Sequence, residues 1–271
     1  MPINKIVGSF DEAVADFFDG ATIMVGGFAT VASCPSFLLQ APARTGVKNL
    51  TSISNTGGFG PDIWAIQGYK VTEDIDILAR NGMVKKVIVS APASIMLENN
   101  LGRQIKAGEV EWERVPLGTL TERIRCAKAG IGAVYVPVGS GTVIQEGKET
   151  KVIDGKVHLL EYAIHADFAL IKAHKADRWG NLTYRKATRT VNETMAGAAR
   201  VTIVEVDEIV ELGELDPEAI VTPGVYVDRV VQRPKDIDES IAKDEREVDS
   251  RVTESHRKFM ETWKGKAKKE G

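Results

Sequence analysis

Two glycine-containing segments stand where a ligand-binding loop is expected. Residues 26–28, Gly-Gly-Phe, directly follow the apolar run 22–25, and the polar stretch 55–60 follows the run 50–53. In open parallel sheets, ligands bind beyond the carboxyl ends of the strands, where loops leave backbone N–H groups and helix N-termini unpaired. Each loop on its own is equally compatible with a tight turn that needs glycine at positive φ. Two such loops together favour a binding site.

Other common chemistries find no suitable residue pattern. Cys34 and Cys126 form no Cys-x-x-Cys or Cys/His spacing, which argues against a zinc site, a redox site and a disulfide framework. No histidine lies four residues from another, so a helical two-histidine metal site is not predicted either. The histidines concerned are His158, His165, His174 and His256. We therefore expect neither a metal nor a redox centre.

Local signals predict the elements that position the first loop. Ser9 and Glu12 form a capping box, which predicts a helix over residues 13–18. A short buried strand over residues 22–25 then leads into the first glycine loop. Pro35 suits the first turn of a second helix, which we expect to continue through residues 38 and 39.

Further strands and a hairpin complete the predicted domain. Short β-rich runs predict strands at residues 50–53, 87–89, 134–136, 168–171 and 201–206. Thr119 and Glu122 form a second capping box, which predicts a helix from Thr119. Asp154-Gly155 lies between β-rich runs, which is a strong hairpin signal. The predicted fold class is α/β, with a mainly parallel sheet flanked by helices and an added β-hairpin.

Composition excludes two classes of partner. The chain has 271 residues, of which 43% are hydrophobic, and its 35 basic and 38 acidic residues leave a net charge of −3. Because there is no basic excess, nucleic acid is not an expected partner. No run approaches the roughly 20 apolar residues of a membrane span, and the N-terminal segment lacks the apolar core of an export signal. We expect a cytoplasmic protein that does not bind membranes.

The C-terminal segment, residues 235–271, differs from the domain over residues 1–234. It is densely charged, and its apolar residues recur every eleven positions: Ile237, Val248 and Phe259, with Ile241, Val252 and Trp263. An 11-residue period keeps one narrow apolar stripe on a nearly straight helix. The pattern predicts a helical arm that docks either on its own domain or on a partner subunit.

Several segments also resemble one enzyme family, in the same order along the chain. They are residues 19–28 (Asp-Gly-Ala-Thr-Ile-Met-Val-Gly-Gly-Phe), 46–51, 54–55, 98–99, 118–125, 147–149, 166–173, 175–178, 180–182 and 226–229. Together they are similar to the α subunit of class I CoA-transferases of the 3-oxoacid CoA-transferase type. The resemblance covers residues 3–233, which is all of the chain except the arm.

This resemblance implies a function and a partner. Family α subunits pair with a β subunit, commonly as an α2β2 heterotetramer with the active site at the α/β interface. A β-subunit glutamate attacks an acyl-CoA, and CoA passes through a glutamyl-CoA thioester to a second carboxylic acid. CoA is a substrate in this chemistry, and no permanently bound cofactor is implied.

The resemblance also assigns site residues. Asn55 matches the family asparagine whose amide helps to stabilise the oxyanion, which a neutral amide can do without titrating. The other residues that we expect to contact substrate or CoA are Gly26, Gly27, Phe28, Thr56, Gly57, Leu117 and Glu98. Phe28 alone would more often be a core residue. Glu98 matches an α-subunit position, and so it is not expected to be the nucleophile.

Departures from the family pattern leave two other functions open. The segment 29–35 lacks the usual glycines, residues 91–94 differ, and Leu117 replaces a glutamine, which favours an acid less polar than acetoacetate. One alternative is a CoA-thioester or ring-cleaving CoA hydrolase on the same fold, with water as the acceptor. The other is a non-catalytic binding or scaffold subunit.

Overall fold

The computed structural model describes residues 3–28, 33–60, 73–91 and 99–234. Glu98, residues 29–32 and the predicted arm over residues 235–271 lie outside these ranges. In the described ranges the α-helices are α1 (Phe10–Ala13), α2 (Pro42–Thr45), α3 (Asp76–Arg80), α4 (Asn100–Lys106), α5 (Leu117–Lys128) and α6 (Asn192–Met195). Among them, no helix is long and apolar enough to cross a membrane.

The strands of the described ranges form two sheets. They are β1 (Thr22–Val25), β2 (Leu50–Thr56), β3 (Val84–Ala91), β4 (Glu111–Arg114), β5 (Ala133–Val136), β6 (Thr150–Ile153), β7 (Lys156–Tyr162), β8 (Ala166–Ala176), β9 (Leu182–Thr183), β10 (Ala199–Ile209) and β11 (Arg229–Gln232). The large sheet has the order β11-β10-β8-β1-β2-β3-β4, and it is parallel apart from β9, which pairs antiparallel with β8. The prediction of an α/β fold with a mainly parallel sheet is confirmed.

The strand order of the large sheet has a topological switch point at β1. From β1 the strands β2, β3 and β4 are added on one side, whereas β8, β10 and β11 are added on the other. β1 therefore pairs in parallel with both β2 and β8, and Val25 lies opposite Ser54 on one side and Leu170 on the other. Such a switch point leaves a crevice at the carboxyl ends of the strands, where ligands bind in open α/β sheets.

Both faces of the large sheet are buried, because successive residues along a strand point to opposite sides. On one face Met24, Ile53 and Ala169 pack with Leu120 and Ile124 of α5. On the other face are Ile23, Val25, Leu170, Ile203, Phe17, Leu38 and Leu39. The two layers hold β1 in the middle of the domain.

The second sheet is antiparallel and has the order β5-β7-β6. β6 and β7 pair as a hairpin. Both residues of its turn, Asp154 and Gly155, have positive φ, at 49° and 74°. Positive φ at both central residues is what a two-residue hairpin turn of the commonest type requires.

Two of the predicted helix starts have different outcomes. The Ser9 side chain accepts from the N–H of Glu12 as expected, but the Glu12 carboxylate accepts from Gly8, and α1 ends at Ala13. The capping box at Thr119 is wrong: α5 begins at Leu117 after Pro116, and Thr119 is buried within its first turn with an unpartnered hydroxyl. Proline before the first helical residue displaces the predicted start by two positions.

The helix predicted from Pro35 is also shorter than expected. A 3-10 helix covers Leu38–Gln40, and α2 follows it at Pro42–Thr45. The buried carboxylate of Glu205 on β10 accepts hydrogen bonds from the N–H groups of Phe37 and Leu38, each at 2.9 Å. This long-range cap fixes the segment that follows the first glycine loop.

Candidate active site

A cleft lies at the carboxyl ends of β1 and β2, at the switch point of the sheet. It brings the two predicted glycine loops together, since its lining includes Gly26, Gly27 and Phe28 from the first and Asn55 and Thr56 from the second. The remaining lining residues are Val25, Cys34, Ser54, Phe59, Asp74 and Ile75. Because β1 and β2 pair in parallel, their carboxyl ends lie at the same edge of the sheet, which brings the two loops together.

Backbone geometry demands glycine in the first loop. A Cβ atom on Gly26 would lie 1.8 Å from Oδ1 of Asn192, and φ of Gly27 is 117°. Asn192 is fully buried, and its Oδ1 accepts from the N–H of Lys172 while its Nδ2 donates to the carbonyl of Ser33. The loop therefore lies close to the fixed side chain of Asn192, and any residue larger than glycine at position 26 would push the two apart.

Asn55 belongs to a strand, not to a loop. β2 continues to Thr56, so the expected loop over residues 55–60 starts two residues later. Asn55 is only 5% exposed. The Ser90 Oγ lies 2.6 Å from its backbone carbonyl oxygen and 2.9 Å from its side-chain Oδ1. Strand geometry thus fixes the Asn55 side chain at the cleft wall.

The side-chain amide of Asn55 has its oxygen engaged and its nitrogen available as a donor. Ser90 engages Oδ1, whereas Nδ2 of Asn55 donates to no residue within the described ranges. An amide nitrogen is a hydrogen-bond donor at all pH values of interest. The arrangement can offer an uncharged N–H donor to a group that enters the cleft.

The other sequence-predicted residues separate into two groups. Phe28 and Thr56 line the cleft, and Phe28 is 43% exposed, so it does not have the core role that a lone phenylalanine would more often have. Gly57 is buried away from the lining, where its N–H donates to Ala91 and its carbonyl accepts from Asn99. Leu117 is the half-buried first residue of α5 and does not line the cleft.

Asp74 is a cleft residue that sequence reasoning missed. Its carboxylate accepts from the backbone N–H groups of Phe59, Gly60 and Asp76, at 2.6 to 3.3 Å. Phe59 lies 15 residues away along the chain, so no local spacing signals the contact. Asp74 holds the second glycine loop against the start of α3.

Cys34 is the other missed residue with chemical capacity. It packs against Gly27, and burial raises the pKa of its thiol well above the usual value, with the charges of Asp74 and Glu205 acting in the same direction. A protonated thiol is a poor nucleophile. Cys34 is therefore held in an unreactive form. The Asp74 carboxylate, the other candidate nucleophile among the described cleft residues, already accepts hydrogen bonds from three backbone amides.

The chain is similar to known proteins over most of its length. The model of the Coenzyme A transferase family matches residues 7–233. The chain is 49% identical over 243 residues to one subunit of the 3-oxoadipate CoA-transferase of Pseudomonas putida, covering 89% of this chain and 99% of that protein. It is 44% identical over 223 residues to the alpha subunit of the acetate CoA-transferase of Escherichia coli K12, covering 82% and 94%.

A solved structure shares the fold. The acyl-CoA transferase YdiF of Escherichia coli O157:H7, solved as a thioester complex with CoA, matches with a TM-score of 0.72 at 24% identity. The match covers 85% of this chain and 47% of that one, so this chain spans about half the length of YdiF. From the family model and the relatives together, the chain belongs to the coenzyme A transferase family, and it is a CoA-transferase subunit of the alpha type.

Proposed function

We propose that this chain is the α subunit of a heteromeric CoA-transferase that moves CoA from an acyl-CoA to a carboxylic acid, with Asn55 as an oxyanion donor. The observation that carries the proposal is the Asn55 amide, which stands at the cleft wall beside Gly26 and Gly27 with its oxygen held by Ser90. A donor fixed before the substrate arrives loses little energy to reorganisation when charge develops.

In the proposed reaction the thioester carbonyl is attacked by a glutamate carboxylate of the partner β subunit. The C–S bond breaks, CoA leaves as the thiolate, and an acyl-glutamyl anhydride remains. The thiolate then attacks the glutamyl carbonyl, releases the original acid as its carboxylate, and forms a glutamyl-CoA thioester. The acceptor carboxylate reverses these two steps and leaves as its CoA ester. Each addition places negative charge on a carbonyl oxygen, and we assign Asn55 Nδ2 to that oxygen.

The need for a partner follows from what the described part of the cleft contains. Burial keeps the thiol of Cys34 protonated, and the carboxylate of Asp74 accepts three backbone hydrogen bonds, so neither group is a ready nucleophile. We therefore assign the nucleophile to another subunit. The names of the relatives give further support, because each is one subunit of a larger CoA-transferase. An α2β2 assembly is the arrangement we propose.

The decisive experiment traps the covalent intermediate. The chain is co-expressed with its candidate β partner, and the complex is incubated with acyl-CoA and borohydride, which reduces a glutamyl thioester to a stable alcohol. Mass spectrometry then locates the reduced residue. We expect it on the β subunit, and we expect Asn55→Ala to lower kcat by about 10² to 10³.

Matched controls separate the alternatives. Asn81→Ala removes an asparagine at the end of α3 whose amide donates to Ile77 and which does not line the cleft, so it reports on stability without removing the proposed donor. Equal CoA release with and without an acceptor acid would instead identify a thioester hydrolase. An unchanged turnover in Asn55→Ala would contradict the assigned role, and a complex without any turnover would indicate a binding subunit.

A further inference from the structure

A second cleft, beside the 3-10 helix Lys186–Arg189, is cationic. It is open to solvent, with a volume of about 390 Å³, and it is lined by Tyr184, Lys186, Arg189, Thr190 and Val221. We propose that this cleft binds an anionic group of the substrates, which is a phosphate of the CoA moiety or a second carboxylate on the acyl group. The inference rests on the proposed function and adds a recognition site to it.

The charges of this cleft are available to a ligand. Neither Lys186 nor Arg189 forms an ion pair or a side-chain hydrogen bond with any residue of the described ranges. Both are exposed, and they stand three residues apart in the 3-10 helix. Both line the same cleft, so both cations are within reach of one bound ligand. Two cations and a hydroxyl from Thr190 suit a multi-oxygen anion.

The backbone of the cleft is held in an uncommon conformation. Lys186 and Thr190, at either end of the 3-10 helix, have φ values of 51° and 37°. Residues with a Cβ adopt this region rarely, and a β-branched residue such as Thr190 more rarely still. The surroundings that enforce it include Asn192, whose Nδ2 donates to the carbonyl of Thr188 at 3.0 Å. The cations therefore project from a turn that is fixed before any ligand binds.

The same asparagine joins this turn to the candidate active site. Asn192 Oδ1 lies 1.8 Å from the position that a Cβ on Gly26 would take. Its Nδ2 is 3.0 Å from the carbonyl oxygen of Ser33 and 3.3 Å from Oγ1 of Thr190. One buried side chain therefore contacts the glycine loop of the first cleft and a lining residue of the second. A substrate with its thioester at Asn55 has an anion-binding surface on the neighbouring part of the domain.

Binding measurements test the site separately from turnover. Titration calorimetry on the assembled α and β complex uses four probes: CoA, pantetheine, a dicarboxylic acid, and the monocarboxylic acid of equal chain length. We expect Arg189→Gln and Lys186→Gln each to weaken binding of an anionic probe by about 10-fold, as for loss of a charge-assisted hydrogen bond. Arg185→Gln is the matched control, because Arg185 is exposed and adjacent but does not line the cleft.

The probe that loses affinity identifies the anion. Weaker binding of CoA with unchanged pantetheine assigns the cleft to a phosphate, and weaker binding of the dicarboxylic acid alone assigns it to a carboxylate. Equal affinities in wild type and both variants for all four probes would overturn the proposal. So would an equal loss in Arg185→Gln, which would indicate general surface charge. Turnover of the wild-type complex, measured in parallel, reports on the proposed function alone.

Discussion

The Ser90 hydroxyl on β3 bridges two oxygens of Asn55 on the neighbouring strand, 2.6 Å from the backbone carbonyl and 2.9 Å from Oδ1. The contact follows from strand register, because β2 and β3 pair in parallel with Ser54 opposite Val89. Anchoring one side of the amide oxygen determines where the amide nitrogen is directed. Ser90 is therefore a positioning residue for the proposed oxyanion donor.

Substitution of Ser90 tests this relationship. Ser90→Ala removes the anchor and lets the Asn55 amide rotate, and we expect kcat to fall about 5- to 10-fold, as for loss of one hydrogen bond. KM is expected to change little, since the substrate-binding surface is retained. Ser90→Thr keeps a hydroxyl and should restore most of the rate.

A double-mutant cycle distinguishes positioning from general stability. In an Asn55→Ala background there is no amide left to orient, so Ser90→Ala should lower kcat no further. Full additivity of the two losses would contradict the positioning role. Steady-state kinetics on the four complexes measures the coupling.

Gly26→Ala should destabilise the domain. The new methyl group would lie 1.8 Å from Oδ1 of Asn192, which is buried and hydrogen-bonded and so cannot withdraw freely. We expect a loss of about 1 to 3 kcal/mol in the free energy of unfolding, typical of an overpacked core. Gly118→Ala on α5 is the control, because nothing lies within 4 Å of its added Cβ. In thermal melts the Tm of Gly26→Ala should be lower than that of wild type, and the Tm of Gly118→Ala should equal the wild-type value or lie slightly above it.

Cys34 should be chemically silent despite its place in the cleft. Burial raises the pKa of its thiol, so the folded protein holds almost no thiolate under mildly alkaline conditions. We expect iodoacetamide to leave Cys34 unmodified in the native chain and to label both Cys34 and the other buried thiol, Cys126, in urea. Cys34→Ala should retain most of the turnover. Rapid native labelling, or loss of activity comparable to that of Asn55→Ala, would show that Cys34 takes part in the chemistry.

Acid should weaken one specific ion pair. Arg229 on β11 contacts Asp16 with two hydrogen bonds of 2.6 Å, and this lowers the pKa of the Asp16 carboxyl below its ordinary value of 3.8. A lowered folded-state pKa stabilises the fold above the ordinary value and loses that effect as pH falls through the folded value.

Asp16→Asn should therefore lower stability at neutral pH by about 0.5 to 1 kcal/mol, a modest value because the carboxylate is half exposed. The difference in Tm between wild type and variant should close as the pH falls below 3.8. Asp11→Asn, whose ion pair with Arg44 is more exposed, is expected to shift Tm less. A difference that stays constant throughout the acid titration would contradict the assignment.

Local signals in the sequence were sufficient for some elements and insufficient for others. The strands over residues 22–25, 134–136 and 168–171 form where β-rich runs predict them, and Asp154-Gly155 occupies the hairpin turn. The capping box at Thr119 failed because Pro116 starts α5 earlier, and the helix after Ser9 ends at Ala13. Helix ends depend on contacts with distant residues, as Glu205 shows at Phe37 and Leu38.

The amino-acid sequence by itself determined the α/β class, the family and the two glycine loops, because alternation of apolar residues, turn residues and motif order are all local properties. Only the tertiary structure decided what surrounds Asn55 and Gly26. Ser90 lies 35 residues from Asn55 along the chain, and Asn192 approaches Gly26 from helix α6, which is distant in the sequence. These contacts exist because parallel strands carry distant segments to one edge, and strand order and register are set by packing of the whole domain.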